Sequence, residues 1–536
     1  MSKVISFPEA AGLIPNHATL TVSSSSGLGC PDAMLRAIGE RYRSTGSPRQ
    51  ITTIHPIAAG DMYGIDGIDH LAQDGLLARI IAGSYPSGPS SMPSPAIWTM
   101  IHENRTEAYN IPSGWLFQWH ADIATGRPGV LSRVGLHTYL DPRQTGGKMN
   151  ASATEDLVTL VDFDGREWLF LRSMPIDVAI IRGTSADPDG NVSMEHEGAF
   201  LGALEQAIAV RNCGGIVIAQ VKRIVQSGSI PAQQVRVPGV LVDHVVVDPD
   251  QMQTTQTLYE AGISGEIRED PSAFELVEWG PEKIIARRAA MELRSGEAVN
   301  LGFGVSALVP RILLEEGLHG AVTWVIEQGA VGGVPLLGFQ FGCAANADAI
   351  VPSPQQFMYF QGGGFDRTLL SFLQVAPDGS VNVSSLAAKP HVTAGVGGFV
   401  DITANAKHIV FSGNMTAGGL KLRIDEGHLI IDQEGRSRKF VKTLEHTTFN
   451  GSLAAEKGQR VSFVTERCVI ELIEGRLTVT EVAPGIDIER DVIRQAEVPF
   501  AISGNLATMD PRIFVPSRMG LALQAREPIR TARLPW

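Results

Sequence analysis

Two fused open α/β domains of one type, with added β-hairpins in the second half, are what this 536-residue sequence predicts. Three observations carry the prediction. Strand-like apolar runs alternate with amphipathic helical patterns along the chain. Several runs are nearly unbroken Val and Ile, as parallel strands covered on both faces require. One arrangement, strand then glycine-rich turn then helix, occurs near the start and again from Glu297.

The first copy is "ATLTVSSSSGLGCPDAMLRAIGERY", Ala18 to Tyr42: a strand, a Ser/Gly turn, a Pro near the helix start, and a helix carrying Met34, Leu35 and Ile38. Buried parallel strands follow in "DVAIIRG" from Asp177, "GIVIAQV" from Gly215 and "HVVV" from His244. The stretch from Asp248 to Lys283 is polar and broken by Pro249, Pro271 and Pro281, so it reads as the crossover. It places the division at residues 1–275 and 276–536. The second copy is "EAVNLGFGVSALVPRILLEEG", followed later by the strand "HIVFSG" from His408. Period-two alternation in "LKLRIDEGHLIIDQEG" and "RCVIELIEGRLTVTEVAPGIDIERDVI" predicts hairpins added to this half.

Composition narrows the function. A net charge of -13 and a pI near 5.5, with no cluster of Lys and Arg, exclude a surface built for nucleic acid or anionic membrane. Cys30, Cys213, Cys343 and Cys468 are scattered without metal-ligand spacing and read as small buried hydrophobes in a reducing compartment. No run of 18 apolar residues occurs, and the first residues show no basic stretch before an apolar one. The expectation is a cytoplasmic protein.

One residue stands against its surroundings. In "VTWVIEQGAVGGVPLLG" an apolar strand from Val322 runs straight into Glu327, with a glycine two places on. Burying a carboxylate there costs several kcal/mol unless it is paired, hydrogen-bonded or employed. Four glycine loops recur where strands end: "SSSSGLG", "NLGFG", "QGGGFD" and "AGVGGFVD". Their amides are free to face a ligand at the sheet edge. Taken singly, each reads first as a tight turn. "NLGFG" lacks the third glycine of a dinucleotide fingerprint, and no P-loop is present. Ser23 to Ser26 lack a nucleophile elbow and suit a turn that binds an acid or acyl chain. "MEHE" from Met194 and "HENRTE" from His102 lack metal-binding spacing and read as solvated ends, so no metal is expected.

In combination these motifs are specific. "EQGAVGGVPLLGFQFGCAANADAIV", "FMYFQGGGFD", "LQVAPDGSVNVS" and "AGVGGFVDIT" resemble the family I CoA-transferases, above all the single-chain acetate/propionate type. "VGLHTYLDPRQTGGKMN", "IRGTSADPDGNVSMEHE", "GGIVIAQVKRIV" and "VPGVLVDHVVV" resemble the α-part of that family, and "APGIDIERDVI" the end of its β-part, so the likeness runs from Thr21 to Asp491.

The resemblance implies an α-type domain, a β-type domain carrying the nucleophile, and an active site between them. It makes Glu327, first residue of an E-x-G motif, the nucleophile that carries CoA as a glutamyl thioester, with Gly329 leaving room beside it. It assigns Gly395, Gly397 and Gly398 to an oxyanion hole and to the pantetheine; the amide of Val305 is a second candidate. Ser26, Gly27, Ser113 and Gly114 are expected at the acyl or acid pocket. Coenzyme A is then a substrate, and no cofactor is expected. Partners are acyl-CoA and small carboxylic acids, in a homodimer or homotetramer. An acyl-CoA hydrolase on the same fold and a non-catalytic CoA or metabolite sensor stay open.

Two departures bear on the substrate. Many relatives carry a Gly-Gly-Phe-Gly type turn where this chain has "SSSSGLG", and Pro-Gln-Gly where it has Pro112, Ser113 and Gly114. Serine reaches less far than glutamine and offers one donor, which predicts an acid pocket of different size or reading. The Pro/Ser-rich segment "AGSYPSGPSSMPSPAIWTMI" is a further difference, and it leaves the acid unnamed.

Overall fold

The computed structural model describes residues 2–61, 63–87, 93–387 and 395–526. The first half is built on seven parallel strands: β1 (Thr19–Val22), β2 (Ile51–His55), β3 (Leu77–Ala82), β4 (Glu107–Asn110), β5 (Val178–Ala186), β6 (Ile216–Ile224) and β7 (His244–Val247). They lie in the order β7-β6-β5-β1-β2-β3-β4. The order reverses between β5 and β1, which opens a crevice beyond the end of β1. All nine residues of β5 are buried, as its Val/Ile-rich sequence requires. Helices α1 (Asp32–Thr45), α2 (Ser113–Ala124) and α3 (Ala203–Asn212) belong to this half.

In the second half, helix α4 (Pro281–Ala290) precedes β8 (Ala298–Leu301), α5 (Val309–Glu315), β9 (Thr323–Val325) and the short β10 (Ala330–Val331). Then come α6 (Ser353–Gln361), β11 (Arg367–Ser371), α7 (Phe399–Thr403), β12 (His408–Ser412) and β13 (Arg460–Val464). Strands β9-β8-β11-β12-β13 are parallel neighbours. The sheet then continues antiparallel through β14 (Cys468–Ile473) and β15 (Arg476–Val482), ending on β16 (Ala501–Thr508). The first of the two alternating stretches forms a separate hairpin, Lys421–Asp425 with His428–Gln433. The mixed α/β class is therefore as the sequence indicates. The residue pattern places the crossover in the irregular stretch between β7 and α4.

The two halves share a core. One apolar cluster contains Trp115 and Phe117 of α2 together with Phe357 and Phe360 of α6 and Phe399 of α7. The rings of Phe117 and Phe357 lie 5.4 Å apart. Backbone bonds also cross the seam, Tyr139 N–H to Thr447 O at 2.7 Å and Ser353 N–H to Leu201 O at 3.1 Å. Among the cysteines, Cys30, Cys343 and Cys468 are buried, whereas Cys213 is exposed just after α3, which corrects the expectation for that residue.

Candidate active site

Glu327 sits at the tip of a tight turn. Val325 of β9 pairs with Val331 of β10, and inside that pair Ile326 N–H donates to Ala330 O at 2.9 Å. Gly329 closes the turn with φ 122°, and a Cβ there would overlap the carbonyl oxygen of Val351. That backbone is open to glycine alone. The Val351 carbonyl occupies the place of a side chain at this position, so the glycine is required by the turn. Gln328 fixes the orientation, donating through Nε2 to Ser25 Oγ at 3.1 Å while its carbonyl accepts from Ser353 Oγ at 3.1 Å. The loop after β1 in one half thus grips the turn in the other.

The loop Gly395 to Gly398 meets Glu327 from the far side. The Gly398 amide lies against the Glu327 carboxylate and favours its charged form. A Cβ on Gly398 would stand 2.5 Å from Glu327 Oε2 and 2.7 Å from the Phe357 ring, and one on Gly397 would be 3.8 Å from Glu327 Oε1. Left-handed backbone at Gly395 (φ 87°) and Gly397 (φ 53°) shapes the loop. The first half holds it in place: Val396 N–H donates to Asn110 Oδ1 at 3.1 Å, Gly397 N–H to Gly83 O at 2.8 Å, and Ser113 N–H to Gly397 O at 2.9 Å. Asn110 is itself fixed through Nδ2 to the carbonyls of Ala82 and Gly83. Ala394 of the same motif lies outside the described residues, as do residues 88–92 of the Pro/Ser-rich segment.

Burial pushes the Glu327 carboxyl up to about 7; the charge of Asp401 raises it further, and the Gly398 amide opposes both. Asp401, also pushed up to about 7 by burial, accepts from Gln361 Nε2 at 2.8 Å and from Gly114 N–H at 2.9 Å. The turn therefore holds a carboxylate of raised basicity, beside a glycine loop, in the seam between two α/β halves.

The other sequence-predicted residues fall around this centre. Ser26 is exposed, at φ 54°, with its N–H on Ala58 O at 2.6 Å, and Gly27 is buried beside Thr255 and Asp61. Within that loop it is Ser25 that reaches the E-x-G turn. Ser113 is fully buried at the start of α2, and its hydroxyl has no protein partner among the described residues. Val305 follows Gly304 at the carboxyl end of β8, which runs parallel beside β9, so it shares an edge with Glu327.

"QGGGFD" departs from the expectation of a ligand loop. It leads into the amino end of β11, where Asp366 N–H donates to Ala298 O and Asp366 Oδ2 accepts from Ala298 N–H, so its glycines serve the opposite edge. "MEHE" also departs from a solvated end, because Glu197 is buried on Arg182 at 3.0 Å. No cluster of metal-ligating side chains is present among the described residues. A cavity of about 400 Å³ opens beside the site, walled in part by Trp98, Asn110, Tyr139, Met149 and His446. Sequence reasoning missed Asn110, Gln361 and Asp401. Only Asp401 carried a signal: an aspartate inside the apolar run "GGFVDIT", three places after Gly398.

Fold and site together define a class: a paired α/β enzyme with a buried carboxylate at the junction of its halves. The chain belongs to the coenzyme A transferase family, whose model matches residues 4–248. It is 39% identical over 527 residues to acetate CoA-transferase YdiF of Escherichia coli (strain K12), across 97% of this chain and 96% of the relative. It is 38% identical over 519 residues to caffeate CoA-transferase of Acetobacterium woodii, across 96% and 98%. The crystal structure of acyl-CoA transferase YdiF of E. coli O157:H7 in thioester complex with CoA superposes with a TM-score of 0.89 at 37% identity, covering 98% of both chains. The protein is therefore an enzyme of the CoA-transferase type. Among the described residues no helix is long and apolar enough to cross a membrane.

Proposed function

We propose that this enzyme transfers coenzyme A between an acyl-CoA donor and a carboxylic acid acceptor by a ping-pong mechanism through a glutamyl-CoA thioester on Glu327. The observation that carries the reading is the Glu327 carboxylate of raised basicity at a hairpin tip, with the Gly398 amide against it. The carboxylate attacks the thioester carbonyl and expels CoA thiolate, forming a mixed anhydride. The thiolate attacks the glutamyl carbonyl, the acyl group leaves as its carboxylate, and the glutamyl thioester remains. An acceptor carboxylate runs the same steps in reverse. Each addition builds a tetrahedral oxyanion, and one well-aimed amide contributes about 3 kcal/mol to such a step. Gly398 is suited to that role by its closeness to the carboxylate, whereas the Gly397 amide expected beside it is committed to the Gly83 carbonyl. Burial in the seam supports the reading, since anhydride and thioester both hydrolyse where water has access.

The names of the relatives, an acetate and a caffeate enzyme, support carboxylic acids as acceptors and bracket the range to screen. The same reading makes the protein a cytoplasmic homo-oligomer. Its test is incubation with acyl-CoA without acceptor, followed by peptide mass mapping. A CoA moiety should sit on the peptide containing Glu327, and hydroxylamine should inactivate only the incubated enzyme. Double-reciprocal plots should be parallel. A label on serine or cysteine, or intersecting lines, overturns the mechanism.

A further inference from the structure

Asp401 lies one helical turn behind Gly398, on the face of α7 that points into the seam. It is completely buried, and among the described residues no cation neutralises it. Its two oxygens are divided between two elements: Oδ2 takes the N–H of Gly114 in the first turn of α2, and Oδ1 takes Nε2 of Gln361 at the end of α6. One carboxylate so joins the first half, α6, and the helix that begins at the glycine loop. A Cβ on Gly114 would come within 2.6 Å of Oδ1, so the approach is tight.

Resting on the reading of Glu327 as the nucleophile, we propose that Asp401 is a positioning residue for CoA transfer: it clamps the glycine loop to α2 and sets a second ionisable carboxylate behind the nucleophile.

The charge has a specific consequence for the covalent step. Glu327 carboxylate plus acyl-CoA gives glutamyl-CoA plus the free carboxylate of the acyl group. The negative charge leaves the protein with the released acid, and the glutamyl thioester is neutral. Where both carboxylates are ionised, repulsion between Glu327 and Asp401 exists only before the step, so the thioester relieves it. A buried aspartate at this place therefore favours loading of the enzyme, and it makes the carboxylate a stronger base while free.

The groups around Asp401 allow this assignment. Among the described residues, Glu327 and the buried Tyr139 hydroxyl are the titratable groups within its electrostatic reach. Helix α2 brings no charge to it: His120 faces Thr21 and Asp122 pairs with Arg127. On α6, Tyr359 is turned toward Asp366 and Arg526. Lys457 meets the far end of α7, on the carbonyl of Ala404. His446 packs at a tilt against the Tyr139 ring, and burial keeps it neutral.

Asp401→Asn and Asp401→Ala separate the two parts of the role. Asparagine accepts from Gly114 N–H and, with the Gln361 amide turned over, donates to Gln361 Oε1, so the clamp survives and the charge is lost. In Asp401→Asn the acid limb of the kcat/KM profile should move about one unit lower in pH, and the fraction of enzyme carrying CoA at fixed acyl-CoA and free acid should fall about tenfold relative to unloaded enzyme. In Asp401→Ala the clamp is lost as well, and kcat/KM should fall ~100-fold across the pH range. Thermal melting reports folding of each variant, and the asparagine variant alone decides the electrostatic part. An unchanged limb and unchanged loading in Asp401→Asn overturn the inference. Absence of the CoA adduct on wild-type Glu327 overturns instead the reading on which it rests.

Discussion

Gly398 and Glu327 lie against each other: the amide of the glycine favours the charged carboxylate, and the position a Cβ would take on Gly398 is 2.5 Å from Glu327 Oε2. The missing side chain is what lets the two meet, and the predictions follow from this approach and from the turn that presents the glutamate.

Gly398→Ala drives a methyl group into Glu327 Oε2 and the Phe357 ring. Displacement of the carboxylate by about 1 Å should lower kcat/KM ~100-fold, and crowding of the buried Phe357 ring should lower the melting temperature as well. The check is steady-state kinetics beside thermal melting. Near wild-type kcat/KM would mean that the loop does not position Glu327.

Glu327→Ala should abolish transfer. Glu327→Asp withdraws the carboxylate by one methylene, and in the space left a water can be activated by the shorter acid. The Asp variant should lose most transfer, by ~100-fold or more, and keep slow acyl-CoA hydrolysis, while the Ala variant shows neither. Thiol release with and without acceptor acid measures both. Wild-type transfer by the Ala variant removes Glu327 from the mechanism.

Attack requires the ionised glutamate, so kcat/KM should rise with pH through about 7, the value to which burial and Asp401 push Glu327. Stability follows the opposite course. Unfolded, this glutamate ionises near its ordinary value of 4.5, so between 4.5 and about 7 the folded chain binds more protons and loses stability as pH rises. Glu327→Gln should therefore melt higher than wild type at pH 8, and the gap should close below pH 4.5. A constant gap would count against this titration.

Gly329→Ala places a methyl group on the Val351 carbonyl at φ 122°. The turn has no alternative, so the variant should be destabilised by about 2 to 4 kcal/mol and lose activity through misplacement of Glu327. Urea midpoints for wild type and variant test this, and an unchanged midpoint sinks the account of the turn.

The local pattern of the sequence determined a great deal. Unbroken Val/Ile runs give β5, β6 and β12, because a strand buried on both faces has no position for a polar residue. Period-two alternation gives the hairpin from Lys421 to Gln433, where one face meets solvent. Glu327 stood out because a carboxylate after an apolar strand is costly wherever the chain leads. Which edge a glycine loop serves was not local information: "QGGGFD" and "AGVGGFVD" read alike, and only the strand direction separates them. The partners of Asp401, at Gly114 and Gln361, lie 287 and 40 residues away, and those of Asn110 and Val396 are joined across 286. Spacing along a chain records such pairs nowhere, since they exist only once the two halves close on each other. The sequence determined the glutamate and the glycines; the packing of α2 against α6 and α7 decided the carboxylate behind them, its burial and its charge.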